Sequence, residues 1–170
     1  MWIVEFLSRF ASAIWSLNFL GQFISGIIGT LGFSLMFRLD KRHLPFALIG
    51  GGITFFVYYV VFYFTEMFFA SAFFASAVSA IFAEFMSRAR KAPTFLFILP
   101  CGISIVPGGS LYRTMHNLIA ENFDLVWKYL AETLTVTIGI AGGLAAISLV
   151  FNIVNEINSQ MKAKKAKKKV

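Results

Sequence analysis

Residues 44–65 read LPFALIGGGITFFVYYVVFYFT, a run of 22 without a charge. About 20 apolar residues are enough for a helix to cross the hydrocarbon core of a bilayer, so this run predicts a transmembrane helix. The composition outside it agrees. Of 170 residues, 58% are hydrophobic and 14% charged, and Phe alone occurs 21 times; an ordinary soluble domain is roughly 45–50% apolar and 25% charged. The chain therefore reads as an all-α, polytopic membrane helix bundle of one transmembrane domain.

Working outward, five hydrophobic segments can be marked: 17 to 37, 44 to 64, 67 to 86, 94 to 117 and 130 to 154. Arg38, Lys41 and Arg42 separate the first two, Arg88, Arg90 and Lys91 separate the third and fourth, and six lysines follow the fifth. The alternate side carries only Arg9, Arg113 and Lys128. The positive-inside rule then puts both basic loops and the C-terminus in the cytoplasm and the N-terminus outside. The net charge of +7 is explained by topology and not by nucleic acid, since the basic residues form no stripe with interleaved aromatics.

Residues 1–16, MWIVEFLSRFASAIWS, place Glu5, Ser8, Arg9, Ser12 and Ser16 on one helical face, which predicts an interfacial amphipathic helix with tryptophan anchors. A long tilted first helix is the alternative. The domain limits expected are 1–16 for this segment, 17–155 for the transmembrane domain and 156–170 for a basic cytoplasmic tail. That tail, KAKKAKKKV at its end, serves as a positive anchor or as a contact for anionic lipid headgroups.

Close helix packing in lipid needs small residues, because lipid offers no hydrophobic drive for association. Three segments carry them at spacing four: Gly21, Ser25 and Gly29, with Gly26, Thr30 and Ser34 beside them; Ala72, Ser76 and Ala80; Thr135, Gly139 and Gly143. The first, third and fifth segments are expected to pack inside the bundle or against partner chains, and the second to face lipid over much of its outer half. Glu84 continues the stripe of the third segment. It either points into the bundle as a functional carboxylate or forms an i,i+4 pair with Arg88 at the cytoplasmic interface.

The fourth segment is irregular. Residues 98–111, ILPCGISIVPGGSL, contain two prolines and a Gly-Gly pair. Pro93 can open the helix, but Pro100 and Pro107 each free a carbonyl one turn upstream, and a break at membrane depth must be covered by protein or a wet cavity. Interrupted helices commonly bind transported substrates. The segment is thus expected to be broken at Pro100 and Pro107, either spanning fully or re-entrant, with Ser110 as N-cap of the restarting helix and Arg113 a partner for a carboxylate ligand. The alternative is a simple turn at the outer membrane face.

At these residues the chain resembles the bacterial threonine/serine exporter family, specifically its short half, which is a separate small membrane protein in some bacteria and the C-terminal part of a longer chain in others. The stretch LPCGISIVPGGSLYRTM (99–115) carries the resemblance, supported by GTLGFSLMFRLDKRHLPFALIGGGI (29–53). The resemblance implies export of small polar carboxylates, threonine and serine or a dicarboxylate such as succinate. It also implies a bacterial inner-membrane location and a longer partner half, with a homo-oligomer as the other option for assembly.

The site expected from these readings comprises Pro100, Gly102, Pro107, Gly108, Gly109, Ser110, Tyr112, Arg113 and Thr114. Glu84, His116 and Glu132 are candidates for ion coupling. No ATP-cradling loop is present, and two histidines 73 positions apart with one cysteine, Cys101, offer neither a metal site nor a catalytic constellation. No enzyme activity and no cofactor are expected. A structural or scaffolding subunit, in which the break merely shapes an interface, is the competing function.

Overall fold

A computed structural model of the chain describes residues 17–167, and every regular element among them is helical. The helices are α1 (Leu17–Met36), α2 (Leu44–Thr65), α3 (Phe68–Arg90), α4 (Phe95–Ile103), α5 (Gly108–Ile119) and α6 (Phe123–Lys167). The expected interfacial helix at 1–16 lies outside the described residues. By length and apolarity α2, α3 and Phe123–Ile157 of α6 each suffice to cross a membrane, and α4 with α5 forms a fourth, bent by 53°. The apolar part of α1, Leu20–Met36, is shorter. The protein is a polytopic all-α membrane bundle.

The interior confirms the solvent for which the bundle is built. Its buried side chains are mainly small: Ala47, Ala72, Ala75, Ala80, Ala83, Thr30, Ser34, Thr54, Ser71 and Ser76, with Phe97 the largest that is fully buried. Large apolar side chains such as Ile28, Phe74, Phe85 and Leu149 point outward. A water-soluble protein would reverse this distribution, whereas helices in lipid gain nothing by hiding a Phe and gain packing by bringing backbones close.

Two of the three small-residue stripes meet each other. A Cβ on Gly139 of α6 would lie 2.9 Å from Ala72 Cβ and 2.9 Å from the Phe69 carbonyl oxygen, and one on Gly143 would overlap Ser76 Oγ and the Phe73 carbonyl. The α3–α6 contact is therefore a backbone-to-backbone seam. On α1 it is the neighbouring face that is buried, through Thr30 and Ser34, while a Cβ on Gly21 or Gly29 would meet nothing within 4 Å.

The interior also includes α2, for whose inner half the sequence reading makes no packing assignment. Its inner half is central: α2 packs on α1, α3 and α4, and Gly50, Gly51 and Gly52 are all buried. Three consecutive glycines serve three directions around a helix, with Gly50 against Cys101 and Phe82, Gly51 against Thr30, and Gly52 against Phe23. A search at spacing four misses such a triplet. Beyond it, bulky residues such as Ile53, Phe56 and Phe64 are exposed, as expected for the outer half.

Local signals set the helix ends. Pro45 occupies the first turn of α2, where its missing N–H costs nothing. Glu66 ends α2 and Lys91 ends α3 in the left-handed conformation, both at φ 53°. Pro93 stands one residue ahead of Thr94, the N-cap of α4, rather than in the first turn. The interruption also differs from the expected one: α4 runs through Pro100, and the helical path is lost between Ser104 and Pro107. Pro100 is the sixth residue of a nine-residue helix, so the acceptor it deprives is the carbonyl of Leu96 in the first turn. Pro107 is the N-cap residue of α5, where no helical N–H is required. Finally, α6 runs without a break well past residue 155, so the basic tail begins as a continuation of the last helix.

Candidate functional site

The basic ends of the bundle come together. Arg88 donates to Glu84 Oε1 through Nε (3.1 Å) and Nη2 (2.8 Å), and its Nη2 also donates to Asn155 Oδ1 at 2.9 Å. The same guanidinium stands 5.5 Å from the ring centre of Phe151, and that of Arg90 stands 3.9 Å from the ring centre of Phe46. The α1–α2 loop, the α3–α4 loop and the C-terminal part of α6 thus share one end. Of the two readings for Glu84, the i,i+4 pair is the one realised. Its other oxygen accepts from the Thr94 hydroxyl at 3.1 Å, so the carboxylate ties α3 to the start of α4.

The break lies where the chain passes between two packing groups. Before it, α4 packs on α1, α2 and α3; after it, α5 packs on α6. The end of α4 is pinned to the inner half of α2. Cys101 Sγ donates to the Ala47 carbonyl (3.7 Å), and the Ser104 hydroxyl lies 3.2 Å from the Gly51 carbonyl and 3.0 Å from that of Cys101. Short turns carry the chain across: the amides of Ile105, Val106 and Gly108 donate to the carbonyls of Gly102, Ile103 and Val106.

Two adjoining recesses border this passage. The larger, about 820 Å³ and widely open, has Gly21, Gln22, Ser25 and Gly29 of α1 on one wall and Ile103, Ser104, Val106 and Gly109 on the other. The smaller, about 170 Å³, is lined by Phe55, Tyr58, Ile105, Pro107, Ser110, Glu132 and Val136. Phe55, Ser104, Val106 and Gly109 belong to both. The small-residue face of α1 that meets no other helix among the described residues is therefore a cleft wall.

Among the residues expected to form the site, Pro107, Gly109 and Ser110 line a recess. Ser110 is the third residue of α5 and not its N-cap, and its hydroxyl donates to Glu132 Oε1 at 2.5 Å. Pro100 is fully buried within α4. Gly102 and Gly108 border neither recess, and Thr114 is buried, donating to the Ser110 carbonyl at 2.8 Å. Tyr112, 70% exposed, stacks on His116, and Arg113 packs 5.5 Å from the centre of the Tyr129 ring. These three side chains line neither recess.

Sequence reasoning did not single out Gln22, Phe55, Tyr58 or Ser104 for the site. Ser25 was visible as a member of the first small-residue stripe, but its role as a cleft wall depends on what stands opposite. Among the described residues no group of His, Cys, Asp and Glu could hold a metal ion.

No curated protein and no solved structure matches the chain significantly. Residues 22–150, however, match the family model described as "Threonine/Serine exporter, ThrE", a region containing α2 to α5 entire, most of α1, and α6 as far as Val150. With its lipid-facing exterior and its helix interrupted beside two recesses, the chain belongs to the threonine/serine exporter family.

Proposed function

We propose that this chain is a subunit of a secondary transporter that exports a small polar carboxylate, and that the substrate passes through the two recesses at the α4–α5 break. The observation that carries the reading is the convergence of α1, α2, α5 and α6 on that break, which brings Gln22, Ser25, Ser104, Ser110 and Glu132 to cavities in a bundle otherwise clothed in apolar side chains. The smaller recess has the scale of a single small amino acid, well under the ~300 Å³ at which drug-sized pockets begin. Threonine and serine are the substrates that the family description names; a dicarboxylate such as succinate is the alternative.

The shared end of the three basic segments supports a cytoplasmic placement for it, in a bacterial inner membrane with the N-terminus outside. The larger recess is open along α1, which supports closure by a longer partner half of the same family or by a second copy of this chain. Of the candidates for ion coupling, Glu84 and His116 stand away from the recesses and Glu132 borders one.

Gly109→Leu tests the reading, because residue 109 lines both recesses and a Cβ there meets nothing within 4 Å, so a larger side chain is introduced at the cleft from an open position. In proteoliposomes, with and without the longer family half, efflux of radiolabelled threonine is expected to be lost while assembly persists. Undiminished efflux of both threonine and succinate overturns the proposal; loss of assembly in Pro107→Ala with threonine efflux unaffected in Gly109→Leu favours a scaffolding role.

A further inference from the structure

Among the described residues, Glu132 is the one acidic group that borders either recess, and none of those lining residues is Lys, Arg or His. Its carboxylate is half-buried on α6 and held from one side only. Oε1 accepts from the Ser110 hydroxyl, while Oε2 accepts no hydrogen bond among the described residues. Two cations, Arg113 and Lys128, lie over the Tyr129 ring, at 5.5 and 6.0 Å from its centre, and Glu132 forms no ion pair among the described residues.

We infer that Glu132 is the specificity-determining residue of the transport site, receiving the ammonium group of a zwitterionic substrate on Oε2 and excluding dicarboxylates. The inference rests on the proposal that substrate occupies the break. Against protein walls, charges interact more strongly than in bulk water. An amino acid brings a cation to a site whose described lining includes one carboxylate and no basic side chain. A dicarboxylate brings two further negative charges to the same place and finds no counter-charge among those lining residues. The hydrogen bond from Ser110 holds one carboxylate oxygen, and Glu132 borders the smaller recess together with Tyr58 and Phe55.

A purely structural role for Glu132 is the competing explanation, since a carboxylate beside the first turn of α5 complements the helix dipole. Glutamine retains the acceptor for Ser110 but removes the charge, so substrate selection separates the two. In proteoliposomes containing the chain, with and without the longer family half, Glu132→Gln is expected to raise the half-saturating concentration of threonine at least about tenfold, the loss of roughly 1.4 kcal/mol of binding. The ratio of succinate to threonine transport is expected to rise by a similar factor, and Glu132→Asp to retain the original preference.

Equal changes for threonine and succinate, or no change in either, overturn the inference. Gly109→Leu in the same assay keeps the two proposals apart: if it blocks transport while Glu132→Gln leaves selection unaltered, the break is the site and Glu132 is not its selector. Should Glu132→Gln fail to assemble, competition on the wild-type chain decides. 2-Hydroxybutyrate, which lacks the ammonium group, is expected to compete with labelled threonine at least tenfold more weakly than serine, and equal competition overturns the role of Glu132.

Discussion

Gly51 of α2 faces Thr30 of α1 so closely that a methyl group on residue 51 would overlap the threonine hydroxyl. Thr30 cannot easily yield, being fully buried and donating to the Gly26 carbonyl at 2.9 Å. Gly51→Ala is therefore expected to cost about 1–3 kcal/mol through overpacking. Thr30→Ala in the same chain removes the obstruction, and the double mutant should recover a coupling energy of about 0.5–3 kcal/mol. Denaturant titration in detergent micelles measures all three variants; additive effects would show that the two helices do not meet there.

The seam between α3 and α6 predicts an asymmetry among glycines. Gly143→Ala is expected to destabilise the fold, again by about 1–3 kcal/mol, because the Phe73 carbonyl opposite is backbone and cannot rotate away. Gly29→Ala, on the open wall of the cleft, should leave stability unchanged. Equal unfolding midpoints for these two variants would contradict the packing described.

Glu84 and Glu132 are expected to behave differently although both are acidic residues of membrane helices. The Glu84–Arg88 pair has a half-exposed arginine at the basic end of the bundle, and such i,i+4 pairs contribute only about 0.3–0.5 kcal/mol. Glu84→Gln should thus transport threonine with unaltered half-saturation and maximal rate. Abolished transport in a correctly assembled Glu84→Gln protein would move the coupling group to the cytoplasmic end.

Arg113 packs over Tyr129 outside both recesses. Arg113→Ala is accordingly expected to retain threonine affinity in the same flux assay. A large rise in half-saturation would show that the guanidinium swings into the recess to hold the substrate carboxylate.

Glu66 closes α2 at φ 53°, a conformation that costs a residue with a side chain roughly 1–2 kcal/mol and glycine much less. Glu66→Gly is expected to stabilise the α2–α3 hairpin by about 1 kcal/mol, read as a higher denaturant midpoint. No gain would mean that the charge at this turn contributes as much as the backbone conformation costs.

Much of the architecture follows from composition and spacing. The charge-free run 44–65, the grouping of the basic residues, and the stripes Ala72–Ser76–Ala80 and Gly139–Gly143 are properties of the sequence alone, and they specify a membrane bundle with small-residue packing faces because lipid rewards close backbone contact and little else; that the α3 and α6 faces meet each other was decided by the fold. The prolines and glycines of 100–109 likewise announce an interrupted helix.

The location of the interruption was decided by packing. Pro100 stays helical on the buried face of α4, beside Phe97 and Cys101, while the chain turns at 104–107, where it leaves the α1–α3 group for α6. The Gly50–Gly52 triplet became the centre of three helix contacts, and the Gly21–Gly29 face borders the larger recess. Tertiary structure also brought Glu132, expected only as a coupling candidate, to a recess, whereas Tyr112 and Arg113, expected in the substrate site, and His116, another coupling candidate, line neither recess. A helix lays its residues out around an axis, and only the neighbouring helices determine which of those directions looks into a cavity and which into lipid.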